Sequence, residues 1–360
     1  MEIFSCKTKI IGGHGAAATL AQLGARRVLL VSDPFFAKNG TAERLARSTG
    51  AEVWEIFADV MPDPTVELAA RGAARVKELK PDWIIALGGG SAMDCAKAMA
   101  YFSGVDCRLA AIPTTSGSGS EVTDFAILTH GGVKHPLVDE KLRPDLAILD
   151  SALLDSLPRG LIADSGFDVL AHALEACVAS NGGCITGALA WDAFRRAFRA
   201  LPLSFAGDSS VRLEMHMASA MAGLAFTQSG LGLCHALSHA LGGAFHVPHG
   251  RLNAILLPAV MSCNGSAAME AYAAMARQAG FAASSDTMAV RQLRSGLISL
   301  RRQLELPGTL QQAGVDPVQL RQKEQAIVEA ALADPCCDTN PVKVEGHMVR
   351  EILREAAGRG

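Results

Sequence analysis

Short apolar runs alternate with stretches of helical spacing through the first 150 residues of the chain. Residues 26–33, RRVLLVSD, place four consecutive apolar positions between two arginines and a Ser-Asp end. So short and continuous a run predicts a strand buried on both faces. Residues 81–102, PDWIIALGGGSAMDCAKAMAYF, predict a strand, a glycine turn and a helix. Residues 107–115, CRLAAIPTT, predict a strand running into a turn, and 142–150, LRPDLAILD, the last strand of this half. Between them, 65–79, TVELAARGAARVKEL, is apolar at every third or fourth position, the period of a helix. Strands alternating with helices predict a parallel α/β sheet. Beyond Leu157-Pro158 the β-branched runs thin out, and 164–180, 184–201, 210–226 and 346–359 all carry helical spacing. This predicts an α/β domain over 1–157 and an all-helical domain over 158–360, with 263–290 as surface helix and loop.

Composition narrows the classes. Hydrophobic residues make up 49% and charged residues 19% of the 360, so the chain is globular rather than disordered. A net charge of −3 without a long basic run argues against nucleic acid as a partner. The opening MEIFSCKT is too polar for a signal sequence, and no 18 apolar residues run uninterrupted. The expectation is therefore no membrane span and a cytoplasmic location, with the nine cysteines kept as thiols. Cys336-Cys337 could be a metal or redox pair, but two incidental thiols near a helix end are the plainer reading.

The glycine turn Gly88-Gly89-Gly90-Ser91 opens a helix, where bare backbone can approach a phosphate and the helix N-terminus favours an anion. Alone this is weak, since such turns are often only structural. Asp33 follows the strand 26–33, where an acid can accept both ribose hydroxyls of NAD; equally it can cap a helix starting at Pro34. The hydroxyl-rich PTTSGSGSE, 113–121, ends another strand. Three such loops on one sheet edge favour a dinucleotide site. Asp94 is expected in the first helical turn, complementing the dipole.

The helical half carries the other chemistry. Four of the ten histidines, His235, His239, His246 and His249, fall within HALSHALGGAFHVPHG. His235 and His239 are four apart, as are Asp168 and His172, so each pair shares a helix face. Gly242-Gly243 is expected to end the helix and leave His249 in a loop. A single histidine on an apolar helix is usually a packed core residue, but two such pairs and a following His-Gly in one domain favour a metal site. Imidazole and carboxylate suit Fe²⁺ or Zn²⁺. The pattern offers more candidates than four ligand positions need, and His246 has the weakest case.

Together, GGGSAMDCAKA, IPTTSGSGSEVT, KHPLVDEKLRPDLAILD, GFDVLAHALEA and HALSHALGGAFHVPHGRLNAILLP resemble the iron-containing (group III) alcohol dehydrogenase family over nearly the whole chain. PDPT and ALADPCCDTNP add a likeness to its propanol dehydrogenases of bacterial microcompartments. The resemblance implies a dehydroquinate-synthase-like architecture with a Rossmann-like N-terminal domain. It implies Asp168, His172, His235 and His249 as ligands of Fe²⁺, with Zn²⁺ possible, and His239 as the non-ligand histidine beside the nicotinamide. For NAD(H) it implies Asp33 on the adenosine ribose, Gly89, Gly90 and Ser91 on the pyrophosphate, and Thr114, Thr115, Ser118 and Lys134 around them. It further implies a small aldehyde or alcohol substrate, a homo-oligomer, and a microcompartment enzyme or shell partner. Three positions depart from the family pattern: Ser118 for threonine, Gly187 for aspartate and Asp63 for asparagine.

Three rivals share the fold. A zinc-dependent glycerol-type dehydrogenase matches the hydroxyl loop and histidine stretch less well. A dehydroquinate-synthase-like lyase needs basic residues for a sugar phosphate, and the motifs offer mainly Arg251. A scaffold built on a dead enzyme would need neither ligand set.

Overall fold

The computed structural model describes residues 3–131 and 133–358. They form two compact units: Ser5–Leu157, and the described residues of Pro158–Gly360 with Ile3 and Phe4.

The first unit has eight strands: β1 (Lys9–Gly13), β2 (Arg27–Ser32), β3 (Val53–Phe57), β4 (Trp83–Gly88), β5 (Arg108–Pro113), β6 (Phe125–His130), β7 (Val133–Val138) and β8 (Leu146–Asp150). Its helices are α1 (Pro34–Lys38), α2 (Thr41–Ser48), α3 (Val66–Leu79) and α4 (Gly90–Ser103). Six strands make one parallel sheet in the order β1-β8-β5-β4-β2-β3. From β2 the chain steps outward to β3, then returns to the other side of β2 with β4. The winding therefore reverses between β2 and β4, and the crevice outside their carboxyl ends is where such sheets bind ligands. Strands β4 and β8 are buried along their whole length, which is why they read as unbroken apolar runs.

The antiparallel pair β6–β7 forms a separate two-stranded sheet that the apolar pattern did not reveal. Its strand β7, VKHPLV, is mostly exposed, lacks a regular alternation and contains Pro136. Leu128 of β6 packs on Ala69 and Ala98, and Ala126 is buried beside it on the same strand face. Strand β8 starts at Leu146, later than the 142–150 pattern, because Glu140–Leu142 forms a 3-10 turn.

The second unit is helical: α5 (Arg159–Val178), α6 (Cys184–Phe205), α7 (Arg212–Ser229), α8 (Leu233–Phe245), α9 (His249–Asn264), α10 (Met269–Gln278), α11 (Asp286–Gln303), α12 (Pro317–Ala333) and α13 (Gly346–Ala357). Helix α5 packs against α6, α7 and α9 and is buried on almost every side. A helix apolar all round belongs in a core. Asp168, His172 and Glu175, at i, i+4 and i+7 on it, therefore point inward together.

Three expectations are corrected here. Helix α8 continues through Gly242-Gly243 to Phe245, and His246 takes the left-handed cap conformation at φ 56°. His249 is not in a loop but is the first residue of α9, after Pro248. The 263–290 stretch is not surface alone, since α10 buries Tyr272, Ala273, Met275 and Ala276. The helical run 249–278 is long and apolar enough to cross a membrane, yet 67% of its most apolar window is buried inside the protein, as in a core helix. Gly187 lies in the first turn of α6, and a Cβ there would meet nothing within 4 Å.

Candidate metal and dinucleotide sites

In the helical unit, ligand atoms of Asp168, His235 and His249 all lie within 4.8 Å of one another. Asp168 Oδ1 is 3.7 Å from His235 Nε2 and 3.6 Å from His249 Nε2. Two ligands on one ion, each with a bond of about 2 Å, stand about this far apart. His172 lies beside them, its Nδ1 4.0 Å from Asp168 Oδ2, and its ring is sandwiched between Phe226 at 4.4 Å and His235 at 4.5 Å. All four residues named by the resemblance as ligands thus meet in one place.

The surroundings orient these donors. Glu175 Oε2 lies 2.6 Å from His235 Nδ1, and its two oxygens also accept the backbone N–H groups of Gly232, Cys234 and His235. With Nδ1 committed to a carboxylate, Nε2 is the ring atom turned toward Asp168, the orientation that an outer carboxylate gives a metal-binding histidine. Asn253 Nδ2 donates to Asp168 Oδ1 at 2.7 Å, while its own carbonyl accepts from Ser238 Oγ at 2.6 Å. Sequence reasoning missed Glu175 and Asn253. Both were traceable by spacing, since Glu175 follows His172 by three and Asn253 follows His249 by four on the same helices.

The electrostatics ask for a cation. Burial opposes a charge on Asp168, but His172, His249 and His235 hold its carboxyl well below the usual range. Burial likewise opposes charge on His235, yet Asp168 and Glu175 hold its pKa up at about 9. Burial and the neighbouring imidazoles drive His249 well below its ordinary value. An oxygen and nitrogen donor set that holds a positive charge in a buried place fits a divalent iron or zinc.

His239 stands apart from this cluster in one respect. Its ring stacks on His249 at 5.1 Å, but its Nδ1 is bound to Asp334 Oδ2 at 2.8 Å. Burial opposes charge on Asp334, but His239 and the Cys336 backbone hold its pKa down to about 2. It is thus a carboxylate that can only accept, so His239 Nδ1 is the donor of this bond and Nε2 is left facing away from Asp334. His239 is 36% exposed, enough to exchange protons with water. Asp334 was also missed by sequence, although ALADPCCDTNP had been singled out. The same segment supplies Asn340, whose Oδ1 accepts from Leu233 N and secures the start of α8. Arg251 is already paired with Asp164 through two hydrogen bonds, which removes the base the lyase reading relied on.

In the α/β unit, the predicted cofactor loops converge on the β2–β4 reversal. Asp33 Oδ1 caps α1 through Phe35 N and Phe36 N, so the capping role is real. Its second oxygen faces Gly88, where a Cβ would lie 3.6 Å from it. Both readings of Asp33 therefore fit one side chain. Gly88 has φ 150°, and a Cβ on it would strike Ala92 Cβ at 2.6 Å, so only glycine is accommodated. Gly89 precedes α4 at the N-cap position and offers no side-chain cap. Cβ atoms added at Gly89 and Gly90 would press on Thr115 Oγ1 at 3.4 Å and Ser118 Oγ at 3.2 Å. Glycine backbone thus lies directly against two hydroxyls at an uncapped helix N-terminus, a cradle suited to a pyrophosphate. Ser91 follows in the first turn of α4, and Thr114 N bonds Gly88 O at 2.9 Å. Lys134 on β7 is held by Asp63 at 2.6 Å, so the carboxylate in place of asparagine engages the predicted cofactor lysine.

Asp94 departs from its expected role. It lies past the first turn, half-buried, accepting from Ser120 Oγ at 2.8 Å and Ile127 N at 3.2 Å. Buried Lys97 binds Ser120, Thr123 and Phe125 and ties α4 to the hydroxyl loop. Burial pushes Lys97 down to about 8 and Glu121 up to about 7, and Glu121 Oε1 has no partner among the described residues. Glu121 is protonated more readily in the folded chain than in the unfolded one, so its contribution weakens as pH rises from about 4.5 and is fully lost above about 7. Glu121→Gln is expected to stabilise the protein by about 1–3 kcal/mol above pH 7 and not at pH 4. Thermal melts across that range check it, and an equal shift at both ends would refute it.

Comparison with known proteins assigns a class and then a family. The chain is an oxidoreductase of the alcohol dehydrogenase type. It belongs to the iron-containing alcohol dehydrogenase family: residues 7–151 match "Iron-containing alcohol dehydrogenase" and 162–357 match "Fe-containing alcohol dehydrogenase family, C-terminal". The 1-propanol dehydrogenase PduQ of Citrobacter freundii is 38% identical over 99% of this chain and 100% of its own. The iron-containing alcohol dehydrogenase of Thermococcus thioreducens superposes with TM-score 0.91 at 34% identity, covering 98% of this chain and 99% of that one. Sulfoacetaldehyde reductase from Bifidobacterium kashiwanohense, solved with NAD⁺, gives 0.90 at 26% identity over 100% of both chains. The Rossmann-like sheet and helical second half are those of this fold family.

Proposed function

We propose that this chain interconverts a short-chain aldehyde, such as propanal or acetaldehyde, and its primary alcohol with NADH and NAD⁺. The observation that carries the reading is the meeting of Asp168, His172, His235 and His249 beside a histidine that is itself held by Asp334. Those four residues would hold a divalent iron, with zinc as the alternative. The dinucleotide would lie on Asp33, Gly89, Gly90, Ser91, Thr114, Thr115, Ser118 and Lys134. When bound, the metal supplies Lewis acidity toward the substrate oxygen and the dinucleotide supplies the hydride.

The chain's own part is to position and to move a proton. Glu175 and Asn253 hold His235 and Asp168 in their orientations. In alcohol oxidation, His239 Nε2 accepts the hydroxyl proton while Asp334 stabilises the resulting imidazolium. Exposure of His239 lets that proton pass to water; aldehyde reduction runs the same transfer backward. Asp33 favours NAD over a 2′-phosphorylated dinucleotide by charge repulsion. A homo-oligomer in the cytoplasm, within a bacterial microcompartment, completes the reading.

The test is an anaerobic assay of propanal-dependent NADH oxidation by metal-stripped protein restored with Fe²⁺ or Zn²⁺. Turnover returning with Fe²⁺ is expected. Activity only on glycerol with NAD⁺ and Zn²⁺ would move the protein to the polyol dehydrogenases, and silence despite NADH binding would sink the reaction. His239→Ala is expected to keep its metal and lose about 10²–10⁴ in turnover. Metal loss in that variant would overturn the assigned role.

A further inference from the structure

Beside the iron site lies a second group of donors with different chemistry. His239, Asp334 and Cys336 each offer an atom, and the three atoms lie within 4.8 Å of one another. Asp334 Oδ2 accepts from His239 Nδ1 at 2.8 Å, and the Cys336 thiol also bonds this carboxylate. The neighbouring Cys337 is turned away, its Sγ donating to Ala331 O at 3.0 Å. The 3-10 turn Pro335–Thr339, capped by Asp334 through Cys336 N at 2.9 Å, holds both Asp334 and Cys336 against α8. The group is half-buried and thus reachable from water.

We propose that His239, Asp334 and Cys336 form a second, inhibitory site for a thiophilic divalent cation such as Zn²⁺, Co²⁺ or Cd²⁺. The thiol separates this site from the first, where oxygen and nitrogen donors suit iron, since sulfur donors select the softer ions. Three protein ligands and a water complete a four-coordinate zinc, and donor atoms on one such ion stand about 3–4 Å apart, so only small movements are needed. Binding breaks the Cys336 S–H bond, forms a sulfur–metal bond and releases the proton to water. At His239, the metal takes the Nδ1 lone pair, and the ring proton moves to Nε2. A neutral imidazole with its proton on Nε2 cannot accept another, and Nδ1 no longer reaches Asp334 as a donor. The site thus blocks proton transfer without touching Asp168, His172, His235 or His249. The inhibition rests on the role assigned to His239 above; the binding does not.

The test uses iron-loaded enzyme, titrated anaerobically with Co²⁺ and, separately, Zn²⁺. Iron retention is measured throughout. Wild type is expected to bind one added Co²⁺ with a thiolate-to-cobalt charge-transfer band. Cys336→Ser and Cys336→Ala should lose that band, and Cys337→Ser should keep it. Zn²⁺ should inhibit the wild type with iron retained, and both Cys336 variants should need at least about tenfold more Zn²⁺. A band that survives in both folded Cys336 variants, or that Cys337→Ser abolishes, overturns the proposal. So does zinc inhibition that tracks release of iron and is unchanged by either Cys336 substitution. Because the cobalt band is read without turnover, its failure is separate from a failure of the propanal reaction.

Discussion

Asp168→Asn is expected to leave a folded protein that no longer retains its metal and has lost turnover in proportion. The substitution keeps the shape of the side chain and the oxygen that accepts from Asn253 Nδ2. It removes the carboxylate that His172, His235 and His249 all face. Three imidazoles and a neutral amide hold a divalent ion much less well than three imidazoles and a carboxylate. Loss of an outer partner of a metal ligand costs about 10–100-fold in affinity, so loss of the ligand charge should exceed a hundredfold. Metal per chain by elemental analysis, with circular dichroism to confirm the fold, reads the result. A variant with full metal content would show that Asp168 is not a ligand.

Gly250→Ala is expected to be the most destabilising single methyl in the helical unit. A Cβ at Gly250 would sit 1.8 Å from Asp164 O and 3.2 Å from Asp168 Cβ. The first obstacle is backbone of a buried helix, so no rotamer change relieves it, and α9 must move off α5. Overpacking of this kind costs at least about 3–4 kcal/mol, at the far end of single-substitution effects. For a unit of this size that is a fall in Tm of roughly 6–16 °C. The same movement would draw His249, one residue away, from Asp168, so metal affinity should fall with stability. A melt within about 2 °C of wild type would refute the close contact. Gly250 makes the His-Gly pair intelligible: the glycine lets α9, which carries His249, touch α5, which carries Asp168.

Much of the site was legible before any coordinates. Asp168 with His172, and His235 with His239, share helix faces because the period of the helix alone demands it. Asp33 and Gly88-Gly90 stood out as strand ends, and the parallel winding places strand ends of one kind on one edge. What misled was equally physical. Gly242-Gly243 signalled a helix end, yet the helix runs on to Phe245, because burial of α8 outweighs the intrinsic cost of two glycines. His249 looked like a loop residue because Pro248 precedes it, whereas proline there ends the approach and α9 starts at once. The hairpin β6–β7 was hidden because its exposed strand, VKHPLV, carries a proline and little periodicity.

Glu175 and Asn253 share a helix face with a candidate ligand, but nothing local says which residue of another element each partner meets. Glu175 meets His235 across 60 positions, Asp334 meets His239 across 95, and Lys97 meets the hydroxyl loop across 23 to 28. Local periodicity sets which face of its own helix a side chain occupies; it carries no information on which other helix lies opposite. The sequence by itself determined the two textures of the chain, the helix faces of the ligands and the glycine turn. Tertiary structure alone decided that β2 and β4 are neighbours, that α5, α8 and α9 converge, and that His239 is bound to Asp334 rather than to the metal ligands. These depend on how whole elements pack, and packing is set by the summed burial of many side chains rather than by any motif.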